Sequence, residues 1–193
     1  YYAQVRYAQA ESLYKRALAI DEKAFGPDNL AVDTDLNNLA EIYYIQDHYA
    51  QAEPLLRRSL AIREKTFGPN HPGVSTSLNN LADLYYSQGN YGQAEPLYKR
   101  SLAIDEKTLG SDHPEVAIDL NNLAGLYYAQ GHYAQAEPLY KRSLAIWEKA
   151  LGPNHPNVAT SLDNMAVLCR KSGREKEAKA LETRAAAIRA IKR

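Results

Sequence analysis

The chain has 193 residues, 45% of them hydrophobic, and its 23 lysines and arginines balance 23 aspartates and glutamates. A formal charge of zero speaks against nucleic acid as a partner, since proteins that track phosphates carry a basic excess. No run approaches the ~18 consecutive apolar residues of a membrane span, so no membrane partner is expected, and the single Cys169 excludes an intrachain disulfide framework and fits a reducing, cytoplasmic compartment.

The chain repeats itself. Tyr7, Tyr49, Tyr91 and Tyr133 stand 42 residues apart, as do Ala10, Ala52, Ala94 and Ala136, and Gly26, Gly68, Gly110 and Gly152. A fixed period of this size signals stacked supersecondary units. The opening "YYAQVRY" at 1–7 matches "YYAQGHY" at 127–133. Tyr1 is therefore expected in the last turn of a first helix, with a second helix over 7–25 and a chain that is a fragment of something longer. The expected units are a partial repeat at 1–26 (second helix only) and repeats at 27–68, 69–110, 111–152 and 153–193.

Each unit reads as two helices. In "HPGVSTSLNNLADLYYSQG", Val74, Leu78, Leu81, Ala82 and Tyr85 fall on one helical face. Pro72 suits a first helical position, Asn70, Asp112 and Asn154 stand upstream as capping candidates, and Gly89 ends the helix. The second helix, "YGQAEPLYKRSLAIDEKTLG", packs through Ala94, Leu97, Tyr98, Ser101, Leu102 and Ile104 and stops at Gly110. Pro54, Pro96 and Pro138 fall inside these second helices, where each removes a backbone hydrogen bond. Either the first turn bends there or the regular helix starts later. From Gly173 onward the repeat's tyrosines become Glu175 and Glu182, and the remaining helix is charged outside Ala178, Leu181 and Ile188. That is the composition of a terminal cap, and the array is expected to end there.

The spacing of Leu78, Leu81, Ala82, Tyr85, Ala94 and Tyr98 resembles a tetratricopeptide repeat. With "LNNLA", "YAQAEPLYKRSLAI" and "LGPNHPNVA", the longer unit is similar to the repeats of kinesin light chain and its bacterial relatives. The resemblance implies an all-α, right-handed α-solenoid of antiparallel helix pairs whose first helices line a concave groove. It implies a module that binds a protein or peptide through an asparagine ladder, with no enzyme activity and no cofactor. It does not imply a motor.

On a helical wheel Thr76, Asn79, Asn80, Asp83, Tyr86 and Ser87 lie opposite the apolar face. Repetition extends this strip through Asn37, Asn38, Glu41, Tyr44, Asn121, Asn122, Tyr128, Asp163, Asn164 and Arg170. A carboxamide both donates and accepts, so it can satisfy a peptide backbone whatever side chains that peptide carries. On this reading the first asparagine of each pair is favoured as the contact, the second lying nearer the neighbouring repeat. The competing reading makes one asparagine of each pair a structural bridge between first helices, and recent duplication alone would also repeat the motif. Glu41 and Asp83 lie toward the start of the strip, and Arg170 and Lys171 toward its end, which would favour a ligand acidic near the last repeat.

Glu11, Glu53, Glu95 and Glu137 each precede Lys15, Arg57, Lys99 and Lys141 by four residues, the favourable order for helical pairing. The basic "YKR" segments therefore read as a self-compensating solvated face. His71, His113 and His155 recur at the full period, too far apart to share a metal whose bonds are about 2 Å, and take a loop role. Cys169 replaces a core tyrosine and reads as a packed thiol. No catalytic motif is present. The rival functions are a scaffold that self-associates through the ends of the array and, by the same resemblance, the sensing arm of a larger bacterial signalling protein.

Overall fold

The computed structural model describes residues 2–191, with side chains from Arg6 onward. The described residues form nine helices: α1 Tyr2–Phe25, α2 Leu30–Ile45, α3 Tyr49–Phe67, α4 Pro72–Ser87, α5 Tyr91–Leu109, α6 Pro114–Ala129, α7 Tyr133–Leu151, α8 Pro156–Lys171 and α9 Glu175–Ile191. The chain divides into two compact units, Tyr1–Leu97 and Tyr98–Arg193, with the boundary inside α5. In the first unit α2 packs on both α1 and α3, and α3 on α4. Val32, Leu36 and Ile62 form the centre of that core. In the second unit α6, α7, α8 and α9 pack in succession around Val116, Leu120, Ile146, Trp147, Val158, Leu162 and Ile188. Each such side chain contributes about 1.5–3 kcal/mol on burial.

The helices start at Pro72, Pro114 and Pro156, as expected, but the caps differ from the candidates. Asn70, Asp112 and Asn154 are not the caps; His71, His113 and His155 are, each accepting through Nδ1 from the backbone N–H two residues on, at 3.0, 3.2 and 3.2 Å. Proline at the first helical position fixes the cap as the residue before it. Imidazole Nδ1 lies as many bonds from Cα as the Oδ1 of Asn29, which caps α2 by accepting from Ala31 N–H at 2.9 Å. Asp112 instead pairs with Lys149.

The expected break near Tyr7 is also absent, since α1 runs unbroken from Tyr2 to Phe25. The corresponding turns elsewhere need a left-handed residue: Gly89 (φ 73°), Gly131 (φ 78°), Gly173 (φ 75°) and Asp47 (φ 59°). Aspartate tolerates that region, but valine, the residue at position 5, does not. The prolines do not delay the second helices either. α3, α5 and α7 begin at Tyr49, Tyr91 and Tyr133 and pass through Pro54, Pro96 and Pro138. Ala52 and Leu56, buried on either side of Pro54, anchor α3 through packing where one backbone bond is lost.

Expected helical ion pairs form at Glu11–Lys15 (2.7 Å), Glu53–Arg57 (2.9 Å) and Glu137–Lys141 (2.6 Å). They are more than a solvated face. Tyr43 donates its hydroxyl to Glu11 at 3.1 Å and Tyr85 to Glu53 at 2.9 Å, tying each second helix to the next first helix. Cys169 stands in the corresponding tyrosine position, is buried, and its thiol is pushed up by desolvation. There Arg174 takes over and donates to both oxygens of Glu137 at 2.9 and 2.8 Å.

Asp35 is one of several buried polar side chains with an oxygen left unpaired. It is buried on α2, and its Oδ2 meets no hydrogen-bond partner among the described residues. Burial, and then the neighbouring charge of Asp21, raise its carboxyl above the ordinary range.

Two stability outcomes follow. Replacing His113 with alanine removes a cap and should cost about 1 kcal/mol, whereas asparagine should restore it; urea midpoints of the two variants check this. Because the folded state raises the Asp35 carboxyl, the folded chain loses stability as pH rises through that titration. Asp35→Ser, which copies Ser77 and Ser161, should therefore stabilise by about 1–3 kcal/mol at neutral pH. The gain should shrink as pH falls through the carboxylate range, as read from unfolding curves at acid and neutral pH.

Candidate functional site

The asparagines of the polar strip are half-buried, while Glu41, Thr76, Tyr86 and Arg170 are exposed. In the first unit the Asn37 side chain lies across α2 and α3, its Nδ2 donating to the Asp33 carbonyl at 2.8 Å, to Asp33 Oδ1 at 2.9 Å and to Ser59 Oγ at 2.7 Å. Asp33 is itself buried, receiving Ser59 Oγ at 2.5 Å and Arg63 Nε at 2.7 Å. Arg63 also donates to the Gly73 carbonyl at 2.9 Å, joining α3 to the start of α4. Asn37 Oδ1 then accepts from Asn80 Nδ2 at 3.3 Å, a rung between α2 and α4. The second unit repeats the rung, with Asn164 Nδ2 donating to Asn121 Oδ1 at 2.8 Å.

This ordering differs from the expectation that the first asparagine of each pair faces a ligand. Asn37 and Asn121 are held inside the units, and Asp163 is held by Arg189 of α9. Asn38 and Asn122 are both half-buried, and their side chains form no hydrogen bond among the described residues. Arg170 is also placed differently. Its guanidinium meets Glu182 at 2.5 Å and Glu175 at 3.5 Å, so its charge is compensated within the unit and does not wait for an acidic ligand.

Six of the sequence-derived residues converge. Asn37, Asn38, Glu41, Tyr44, Asn80 and Asp83 line one cavity of about 370 Å³ between α2 and α4, with Ala40 and Leu56 beneath. That volume falls within the range of sites for small ligands or single side chains, about 300–1,000 Å³. Tyr44 is oriented by a 2.7 Å hydrogen bond with Ser87 Oγ and by ring contact with Tyr49 at 5.7 Å. Tyr86 and Tyr128 lean in the same way on Tyr91 and Tyr133. Thr76 is exposed, and Asn79 is half-buried on α4. In the second unit Asn121 borders a separate cavity of about 280 Å³ with Ile118, Trp147, Asn157, Thr160 and Ser161.

The wheel missed Asp33, Ser59 and Arg63, which fix Asn37, and Trp147, which walls the second cavity. One signal was available for two of them: Asp33 stands where other repeats have Ser75, Ala117 and Ala159, and Trp147 where they have Arg63 and Asp105. His71, His113 and His155 are engaged as caps, and among the described residues no three metal-binding side chains are grouped. No helix among them is long and apolar enough to cross a membrane.

Stacked helix pairs with this polar strip define a repeat protein of the α-solenoid class. The tetratricopeptide repeat profile matches residues 1–65, 36–107, 82–149 and 120–190, and the chain belongs to that family. No curated protein matches it in sequence. Among solved structures, BtubC (BKLC) from P. vanneervenii is 26% identical with a TM-score of 0.85, over 98% of this chain and 75% of that one. A Podosopora anserina kinesin light chain-type protein of nearly identical TPR-like repeats is 28% identical with a TM-score of 0.83, over 98% and 90%. A Rap protein complexed with competence and sporulation factor shares the fold at 18% identity and a TM-score of 0.74, over 97% and 51%.

Proposed function

We propose that the chain binds an extended segment of a partner protein along the polar strips of its first helices, using carboxamides to satisfy the segment's backbone. The observation that carries this reading is the half-buried pair of rungs, Asn37–Asn80 and Asn121–Asn164, each bordering a cavity. A carboxamide held by one neighbour keeps part of its hydrogen-bonding capacity for another molecule. Asn38 and Asn122 flank the rungs and are the principal backbone contacts, with Tyr44 and Tyr128 supplying rigid, amphipathic area. The role is recognition without chemistry. Protein–protein recognition is the common use of tetratricopeptide repeats, which supports the coarse assignment.

A peptide captured from a displayed library should lose about 1–3 kcal/mol of binding in the double variant Asn38→Ala, Asn122→Ala, from roughly 0.5–1.5 kcal/mol per amide. The melting temperature should not move. Calorimetric affinities within twofold of the parent chain would remove the ladder from the mechanism.

One observation favours self-association as a second reading. Leu13, Ile20 and Phe25 on α1 are 62, 62 and 60% exposed, whereas Ile62, Ile104, Ile146 and Ile188, the counterparts of Ile20, are buried. Light scattering at two concentrations should show a rising mass if this face joins copies. Ile20→Lys should then return the chain to monomer, and a constant monomer mass would dismiss the scaffold.

A further inference from the structure

The first-unit cavity is lined by two acidic residues whose equivalents in the later repeats are neutral. Glu41, Asp83, Gly125 and Val167 occupy the same place in successive repeats, each following the Leu-x-Asn-x-Ala core. That core is copied with little change, so duplication alone does not explain why this neighbouring position is acidic twice and then neutral twice. Glu41 and Asp83 both line the 370 Å³ cavity, and no lysine or arginine does. Glu41 is exposed and forms no ion pair among the described residues. Val167, by contrast, leaves 44% of its surface exposed and apolar.

The cavity wall is therefore rich in acceptors. Two carboxylates stand beside the carboxamides of Asn38 and Asn80, with the Tyr44 ring and Leu56 offering apolar surface below. A guest complementary to this wall donates hydrogen bonds, carries positive charge and brings an apolar stem. Arginine and lysine side chains have that build, with a charged head and a methylene stem that packs on apolar surface, and an aromatic ring attracts the cation further. We propose that this cavity takes an arginine or lysine side chain of the partner, its head on Glu41 and Asp83 and its stem against Tyr44 and Leu56. The proposal rests on the reading that the strip binds a protein segment, and it gives that segment a basic anchor.

Two measurements on the full chain separate the inference from that reading. In the first, peptides selected from a displayed random library are compared on the parent chain and on Glu41→Gln, Asp83→Asn. Selected peptides should share one basic position. The double variant should weaken them about tenfold, as expected for losing charge-assisted hydrogen bonds, and replacing the basic residue with leucine should produce the same loss without adding to it. Peptides that bind without a basic position, or equally well to the double variant, overturn the inference and leave the groove reading intact. In the second, N-acetyl-arginine amide and N-acetyl-norleucine amide are titrated while amide resonances are followed. Shifts at Glu41, Tyr44 and Asp83 with the arginine compound alone support the anchor even if no library peptide binds, an outcome that would remove the groove reading only. Absence of those shifts, or equal shifts with both compounds, overturns the anchor.

Discussion

α2 lies between α1 and α3, and α8 between α7 and α9, and burial of the first helices decides where anything else can happen. Val32, Val74, Val116 and Val158 are fully buried, as are Leu36, Leu78, Leu120 and Leu162. Serines join them, with Ser75, Ser77 and Ser161 also buried. A helix covered on this much of its circumference keeps one narrow strip to face outward. That strip holds the paired asparagines, the acidic position and the tyrosine. The site is thus a remainder of packing, and its geometry is as rigid as the core that defines it.

Much of this was legible before any coordinates. A period of 42 residues and two 3.6-residue patterns per period are enough for helix pairs, because repetition multiplies a weak local signal. Six strip residues also converged as the wheel placed them. What escaped were contacts that depend on which non-repeating residue lies opposite. Ser59 and Arg63 draw Asp33 inside, and it then captures Asn37. The caps escaped for a stereochemical reason: histidine is rarely considered a capping residue, although Nδ1 reaches as far as an asparagine oxygen. The unbroken α1 shows the reverse case, where pattern matching predicted a turn that one valine does not permit.

The departures from the repeat carry most of the individuality. Cys169 removes a tyrosine hydroxyl, and Arg174 supplies Glu137 in its place. Asp47 replaces a glycine and keeps the left-handed turn. Arg63 neutralises Asp33, where Asp105 and Trp147 occupy the same position in later repeats. For Cys169 and Asp33 the substitution in one repeat is answered by a residue from a neighbouring element. Glu41 is different, since no described residue forms an ion pair with it.

The central puzzle is why asparagine recurs inside helices, where its propensity is poor by roughly half a kilocalorie per mole. Structure and recognition need not compete for the answer. A rung uses one N–H of Asn80 and one lone pair of Asn37, and each such bond is worth about 0.5–1.5 kcal/mol, enough to offset the propensity. The bond also fixes the orientation of both amides, so the groups still facing outward are set in place before a partner arrives. Alanine would suit the helix better and leucine would pack more tightly, but neither would hold an oriented donor and acceptor within the strip. Bridging the helices is therefore what makes the asparagines suited to reading a peptide backbone, because a preorganised amide loses less entropy on binding than a free one.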